Sequence, residues 1–203
     1  IACGNLCPTA AIRPISLDER LGRNHYSKQG PIKIGTAFVD QGRCLPWAMN
    51  TPCIVCQENC PVSPKAIRTR EVFNTIDTGS KLIVAKADAL YIEFRGTGPD
   101  MNQLATGDYY TVVLPSADHQ PRRIVSNWER GLRIADGLPF ESPPEPGSRV
   151  EIQIRLQQPH VDPKHCIGCG VCEHECPVPG KRAIRVTADN ESRNQEHALL
   201  LKR

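Results

Sequence analysis

The stretch HCIGCGVCEHECPV (residues 165–178) sets Cys166, Cys169, Cys172 and Cys176 at gaps of two, two and three residues and closes on Pro177. The same phrase stands upstream in a longer form. RCLPWAMNTPCIVCQENCPV (43–62) holds Cys44, then eight residues, then Cys53, Cys56 and Cys60, followed by Pro61. The chain opens on the tail of the phrase: Cys3, three residues, Cys7 and Pro8. The flanks repeat too. FVDQGRC (38–44) and HVDPKHC (160–166) both place Val-Asp three residues ahead of the first cysteine. CPTAAI (7–12), CPVSPKAI (60–67) and CPVPGKRAI (176–184) all reach Ala-Ile after a short spacer. Each copy predicts a strand, a cysteine loop, one short helical turn and a second strand, and shared flanks rule out a chance grouping of cysteines.

The spacing suits a cubane iron–sulfur cluster, which needs a thiolate at each of four iron corners. Cysteines at two-residue gaps wrap three ligands around one cube. A fourth, three residues on and just before proline, is carried away by the turn to a neighbouring cluster, as in bacterial two-cluster ferredoxins. Gly168 and Gly170 fit beside the cube, where a side chain would crowd it. Pro61 and Pro177 set the chain direction and remove an N–H that would need a partner. The ten cysteines Cys3, Cys7, Cys44, Cys53, Cys56, Cys60, Cys166, Cys169, Cys172 and Cys176 are therefore the expected metal and cofactor ligands. Cys3 and Cys7 read as the last two ligands of a motif that begins upstream of residue 1, so a missing N-terminal segment is expected.

Composition agrees. The 203 residues carry 18 Pro, 15 Gly and only 5% aromatics, the profile of a loop-rich chain held by more than apolar burial. A net charge of +3 points to no nucleic-acid partner. No apolar run approaches the ~20 residues of a membrane-spanning helix. Disulfides fit poorly, since cysteines two residues apart rarely bridge. Zinc ribbons use two separated pairs and have no use for the Cys-Pro ending; a zinc-stapled binding protein stays as the alternative. Lys65, Arg68, Lys181, Arg182 and Arg185, near the Ala-Ile strands, either offset the negative charge of ligated clusters or form an ordinary wet surface. His165 and His174 border the cysteine loops, either as potential-tuning donors or as solvated loop residues. RGTGPD (95–100) has no helix behind it and reads as a turn, not a phosphate cradle.

Between Cys60 and Cys166 the period changes. ALYIEFR (89–95) alternates Leu90, Ile92 and Phe94 against Tyr91, Glu93 and Arg95. RVEIQIRL (149–156) alternates Val150, Ile152, Ile154 and Leu156 against polar residues. DYYTVVLP and RRIVSNW read as further strands. The expected organisation is α+β: a dicluster ferredoxin-like part over 1–79, an inserted antiparallel β domain over 80–158, and a second ferredoxin-like part over 159–203. The insert carries no recognisable active site. It reads as a partner-docking or cluster-shielding domain, or as stiff filler; a cluster-bearing enzyme subunit with its site in the insert is the remaining alternative.

KIGTAFVDQGRCLPWAMNTPCIVCQENCPVSPKAI (33–67) and VDPKHCIGCGVCEHECPVPGKRAIRV (161–186) resemble the multi-cluster ferredoxin-type proteins of periplasmic nitrate reductase and methylamine-utilisation systems. The resemblance implies three to four [4Fe–4S] clusters in the intact protein. It implies single-electron relay between donor and acceptor subunits of a respiratory complex, with no catalytic site and no small-molecule substrate of its own. It also implies a membrane-associated location, on the periplasmic rather than the cytoplasmic face. Its pairing order, carried over, puts Cys44, Cys53 and Cys56 on one cluster with Cys7, and Cys60 on the cluster of Cys3. Cys166, Cys169 and Cys172 then take their fourth ligand from the missing segment, to whose cluster Cys176 returns.

Overall fold

The computed structural model describes residues 8–9, 15–99, 108–114 and 120–192. It divides into two compact units: Ile1–Cys44, Ile54–Thr69 and Pro159–Arg203 form one, Leu45–Cys53 and Arg70–Gln158 the other. Among the described residues no helix is long and apolar enough to cross a membrane.

The cysteine-bearing unit is built from two copies of one short plan. After α1 (Leu17–Leu21), strand β1 (Thr36–Val39) leads to the middle motif, where α2 (Leu45–Ala48) precedes the helical turn α3 (Val55–Glu58). The last motif contains α4 (Val171–Glu175) and ends in β9 (Ile184–Thr187). β1 pairs antiparallel with β9, Ala37 opposite Val186 and Val39 opposite Ile184. The strand entering one motif thus lies on the strand leaving the other.

The repeated flanks become repeated hydrogen bonds. Asp40 donates its N–H to the Ala183 carbonyl at 2.7 Å, and Asp162 donates its N–H to the Ala66 carbonyl at 2.7 Å. The Asp40 carbonyl then accepts from the N–H groups of Arg43 and Cys44, at 3.1 and 3.0 Å; the Asp162 carbonyl accepts from those of His165 and Cys166, at 3.2 and 3.0 Å. Val-Asp ahead of each cysteine is therefore a turn, and Ala-Ile behind each cysteine is its docking strand. The helices α3 and α4 are single turns, too short to persist alone, and they pack against each other.

The second unit is an antiparallel ring. Its strands are β3 (Leu82–Ala87), β4 (Tyr91–Phe94), β5 (Tyr109–Leu114), β6 (Arg122–Trp128), β7 (Gly131–Ile134) and β8, which begins at Arg149 and runs to Val161. Neighbours run β8–β3–β4–β7–β6–β5, and β5 pairs back onto β8, from Tyr109 opposite Ile154 to Leu114 opposite Arg149. Closure leaves these six strands without a free edge to template aggregation. Register shifts at Val84/Lys86 and Ile124/Ser126 supply the bends that closing a short sheet needs. The alternation over 89–95 and 149–156 is realised: Ile92, Phe94, Val150, Ile152, Ile154 and Leu156 are buried. With Val84, Ile124, Leu132, Ile134 and Phe140 most of them fill one core. Arg122 is buried at this core and stacks its guanidinium on the Phe140 ring, 4.3 Å from the centroid.

The units divide at 69/70 and 158/159, and Leu45–Cys53 falls with the ring, whereas the sequence suggested a first division at 79/80. The first division falls within β2, Ile67–Thr75, whose second half belongs to the unit of the ring. The loop carrying Asn50 is tied to its second half by the bond from Asn74 Nδ2 to Asn50 Oδ1, 2.9 Å.

Ile92 is fully buried at the centre of the ring. Ile92→Ala should cost roughly 2–5 kcal/mol of stability, the usual penalty for a large core cavity. Urea unfolding followed by tryptophan fluorescence measures it.

Candidate iron–sulfur site

The cysteine loop of the last motif is shaped before its first ligand. Asp162 turns the chain by accepting the Lys164 N–H on Oδ1 at 2.9 Å and pairing Oδ2 with His165 Nδ1 at 2.7 Å. The His165 bond, followed by the Lys164 N–H, holds this carboxyl below the usual aspartate range. Beyond Cys166 the backbone passes through two left-handed positions, Gly168 (φ +71°) and Gly170 (φ +79°), which favour glycine. Gly168 has a second requirement. A Cβ there would stand 2.5 Å from the Gly35 nitrogen, so the loop and the segment entering β1 meet backbone to backbone. Gly170 then caps α4, which carries Cys172 in its first turn. Glu173 anchors that helix by accepting the Val186 N–H at 2.8 Å.

These turns bring Cys166, Cys169 and Cys172 around one cavity, and the fourth sulfur comes from the other motif: Cys60 lines the same space. The cavity holds about 320 Å³ of empty space, part of it open to solvent. Its remaining wall is apolar, with Ala37, Val62, Ala66, Ile67 and Val186. Cys166 and Cys172 are buried, Cys60 half-buried and Cys169 exposed. Ala37 donates its backbone N–H to Cys166 Sγ at 3.3 Å.

The electrostatics register the grouping. Burial pushes the Cys172 thiol up to about 12, and the neighbouring charges of Cys166, Cys169 and Cys60 add to the effect. Four thiolates cannot share such a pocket without a compensating cation. Among the described residues no three His, Cys, Asp or Glu side chains converge on a point, as a single metal ion would need. Four cysteines line one cavity. That donor set fits a polynuclear iron–sulfur group, with Cys60, Cys166, Cys169 and Cys172 as its holders.

Cys60 lines the cavity of Cys166, Cys169 and Cys172, whereas the implied pairing order sends it to the cluster of Cys3, which lies outside the described residues. The physical reason is the strand exchange, β1 on β9 and Ala66 on Asp162, which turns the tail of the middle motif into the loop of the last. Cys44 and Cys56 are buried, Cys53 is half-buried and Cys176 is buried; none lines this cavity. Cys3 and Cys7 lie outside the described residues. His174 is a solvated residue of the helix Val171–Glu175, its side chain 85% exposed beside Glu175. Arg185 is not free either: its guanidinium lies over the Phe38 ring, 4.9 Å from the centroid.

Sequence reasoning missed the segment ahead of β1. Lys33 donates from Nζ to the carbonyls of Pro163 and Lys164, at 3.2 and 2.8 Å, and the Ile34 N–H bonds the Ile167 carbonyl at 2.9 Å. These contacts span about 130 positions, and no local pattern announces them. Only Gly35, a glycine ahead of a strand, left a trace.

A family model described as a 4Fe-4S binding domain matches residues 159–179. No curated protein and no solved structure matches the chain. The matched span covers the last motif from its approach strand to just past Cys176. Residues 159–179 are thus a 4Fe–4S binding segment, and the chain is an iron–sulfur protein.

Cys60→Ser should leave the cluster at Cys166, Cys169 and Cys172 one ligand short. On oxidation it should lose one iron and give the [3Fe–4S] electron paramagnetic resonance signal far faster than wild type under the same treatment. Gly168→Ala should abolish loading at this site, because the added methyl meets the Gly35 backbone and the left-handed position disfavours alanine by ~1–2 kcal/mol. Iron content should fall while urea unfolding of the ring stays unchanged.

Proposed function

We propose that the chain is an electron-transfer protein that relays single electrons through [4Fe–4S] clusters between redox partners. The observation that carries the reading is the cavity in which Cys60, from one motif, joins Cys166, Cys169 and Cys172 from the other. Such a group, when bound, supplies a one-electron valence change without ligand exchange.

The chain's own residues do the rest. Four sulfurs hold the group in place. The apolar wall keeps water from most of the site, and the Ala37 N–H on Cys166 Sγ stabilises negative charge at that sulfur. Both are levers on reduction potential. Cys169, exposed while Cys166 and Cys172 are buried, gives a partner its closest approach to the site.

The equivalence of the two motifs supports a second cluster, with Cys44, Cys53 and Cys56 from the middle motif and Cys176 donated by the last. This makes the cysteine-bearing part a dicluster ferredoxin-like layout. Cys3 and Cys7, as the tail of a further motif, extend the proposal to three or four clusters in the intact protein. The reading extends to a subunit of a respiratory complex, akin to the ferredoxin-type proteins of periplasmic nitrate reductase and methylamine utilisation. Its donor and acceptor are other protein subunits, at the membrane and on its periplasmic face. These extensions rest on the sequence motifs.

The test is iron, acid-labile sulfide and zinc per chain on protein purified without oxygen, followed by redox titration. About twelve to sixteen irons with matching sulfide in the full-length protein, four for each cluster, and reversible reduction without substrate are expected. Two or three zincs with no sulfide would overturn the proposal.

A further inference from the structure

Each cysteine motif ends on the same turn, from Cys-Pro to Ala-Ile, and each complete copy places a cation immediately before the alanine: Lys65 before Ala66, Arg182 before Ala183. Both side chains fold back onto the motif they follow. Lys65 Nζ donates to the carbonyls of Gln57 and Glu58, each at 2.7 Å. Arg182 donates from one guanidinium nitrogen to the carbonyls of Cys176 and Val178, at 2.7 and 2.8 Å. The backbone they hold is, in both copies, the backbone of the crossing ligand. Gln57 and Glu58 are the last residues before Asn59 and Cys60, and the Gln57 carbonyl also accepts the Cys60 N–H at 3.3 Å. In the last motif the crossing cysteine, Cys176, is itself the acceptor.

This backbone needs an external hold. α3 has four residues, no side-chain cap at its N-terminus, and an Asn59 at φ −85° where a left-handed glycine would normally close the helix. The Gln57 carbonyl takes the Cys60 N–H at the long distance of 3.3 Å, and the Lys65 ammonium adds charge-assisted bonds to it and to the Glu58 carbonyl. A neutral donor would close the helix equally well. A cation adds positive potential beside a turn whose cysteine must be a thiolate to ligate metal.

We propose that Lys65 and Arg182 are matched positioning residues: each holds, through backbone carbonyls, the turn carrying the cysteine that its motif donates across to the other. For Lys65 that cysteine is Cys60 in the cavity with Cys166, Cys169 and Cys172. The proposal rests on the cluster reading given above. It assigns a role to two cations that, in sequence, are indistinguishable from solvated surface residues such as Lys181 and Arg68.

The test uses full-length holoprotein purified without oxygen and oxidised with ferricyanide. A cubane that loses its loosely held corner follows [4Fe–4S]2+ → [3Fe–4S]+ + Fe2+ + e−, the electron passing to ferricyanide. The readouts are the rate at which the [3Fe–4S] resonance grows and the midpoint potentials. Lys65→Met should raise that rate about tenfold, the scale of one lost charge-assisted bond, and shift one midpoint to more negative potential. Lys65→Arg should restore both. The Lys65→Met change should add nothing in a Cys60→Ser background and keep its full effect beside Arg182→Met, because the two cations serve different crossing cysteines. If Lys65→Met fails to hold its clusters, Lys65→Gln, which keeps a donor and loses the charge, is read in the same way. A wild-type rate and wild-type potentials in Lys65→Met would overturn the proposal, as would full additivity with Cys60→Ser. Zinc without sulfide in wild-type protein would instead sink the cluster reading itself, before any variant is compared.

Discussion

The cysteine-bearing unit depends on a reciprocal exchange of backbone. Asp40 bonds to Ala183 and Asp162 bonds to Ala66, each at 2.7 Å, so each motif begins on the strand that ends the other. The helix of each motif is a single turn, too short to persist alone. Paired, the motifs place Ala37, Ala66, Ile67 and Val186 around one cavity and bring Cys60 to three cysteines more than a hundred residues away. The ligand set is a consequence of strand pairing.

The same exchange creates an electrostatic demand. Cys172 sits in a dry wall facing three other sulfurs, and its thiol resists ionisation. At neutral pH the unloaded Cys172 holds its proton, and loading must expel it. The cation of the bound group supplies the compensation. Backbone donors and side-chain cations around the loops, the Ala37 N–H on Cys166 and the Lys33 ammonium on the carbonyls of Pro163 and Lys164, then decide how comfortably negative charge is held. Folding and cofactor binding are one problem in this unit, whereas the described strands of the ring close on an apolar core.

The ring also shows how closely burial follows period. Strict alternation over 149–156 reads directly as one face in and one face out, and Val150, Ile152, Ile154 and Leu156 obey it. Ring closure was not legible. It depends on β5 and β3 both choosing β8 as neighbour, a long-range pairing that no alternation encodes. The first unit boundary was displaced for a related reason. β2 carries the chain from the Ala-Ile of the middle motif into the ring without interruption, and a change of composition near 80 marked only the next turn.

By itself the sequence determined the chemistry of the site: sulfur ligands at cubane spacing, glycines where the backbone must turn left-handed, and proline after each crossing cysteine. These are properties of neighbouring residues, and local covalent geometry enforces them wherever the chain goes. The tertiary structure alone decided which cysteines share a site. Motif spacing fixes three ligands of a cube and sends the fourth away without an address. The address came from the antiparallel pairing of β1 with β9 and of Asp162 with Ala66, hydrogen bonds between segments far apart in the chain. The same holds for Lys65 and Arg182. In the sequence they are two basic residues among several; only the fold, by returning each to the carbonyls of a crossing turn, separates them from the solvated cations around them.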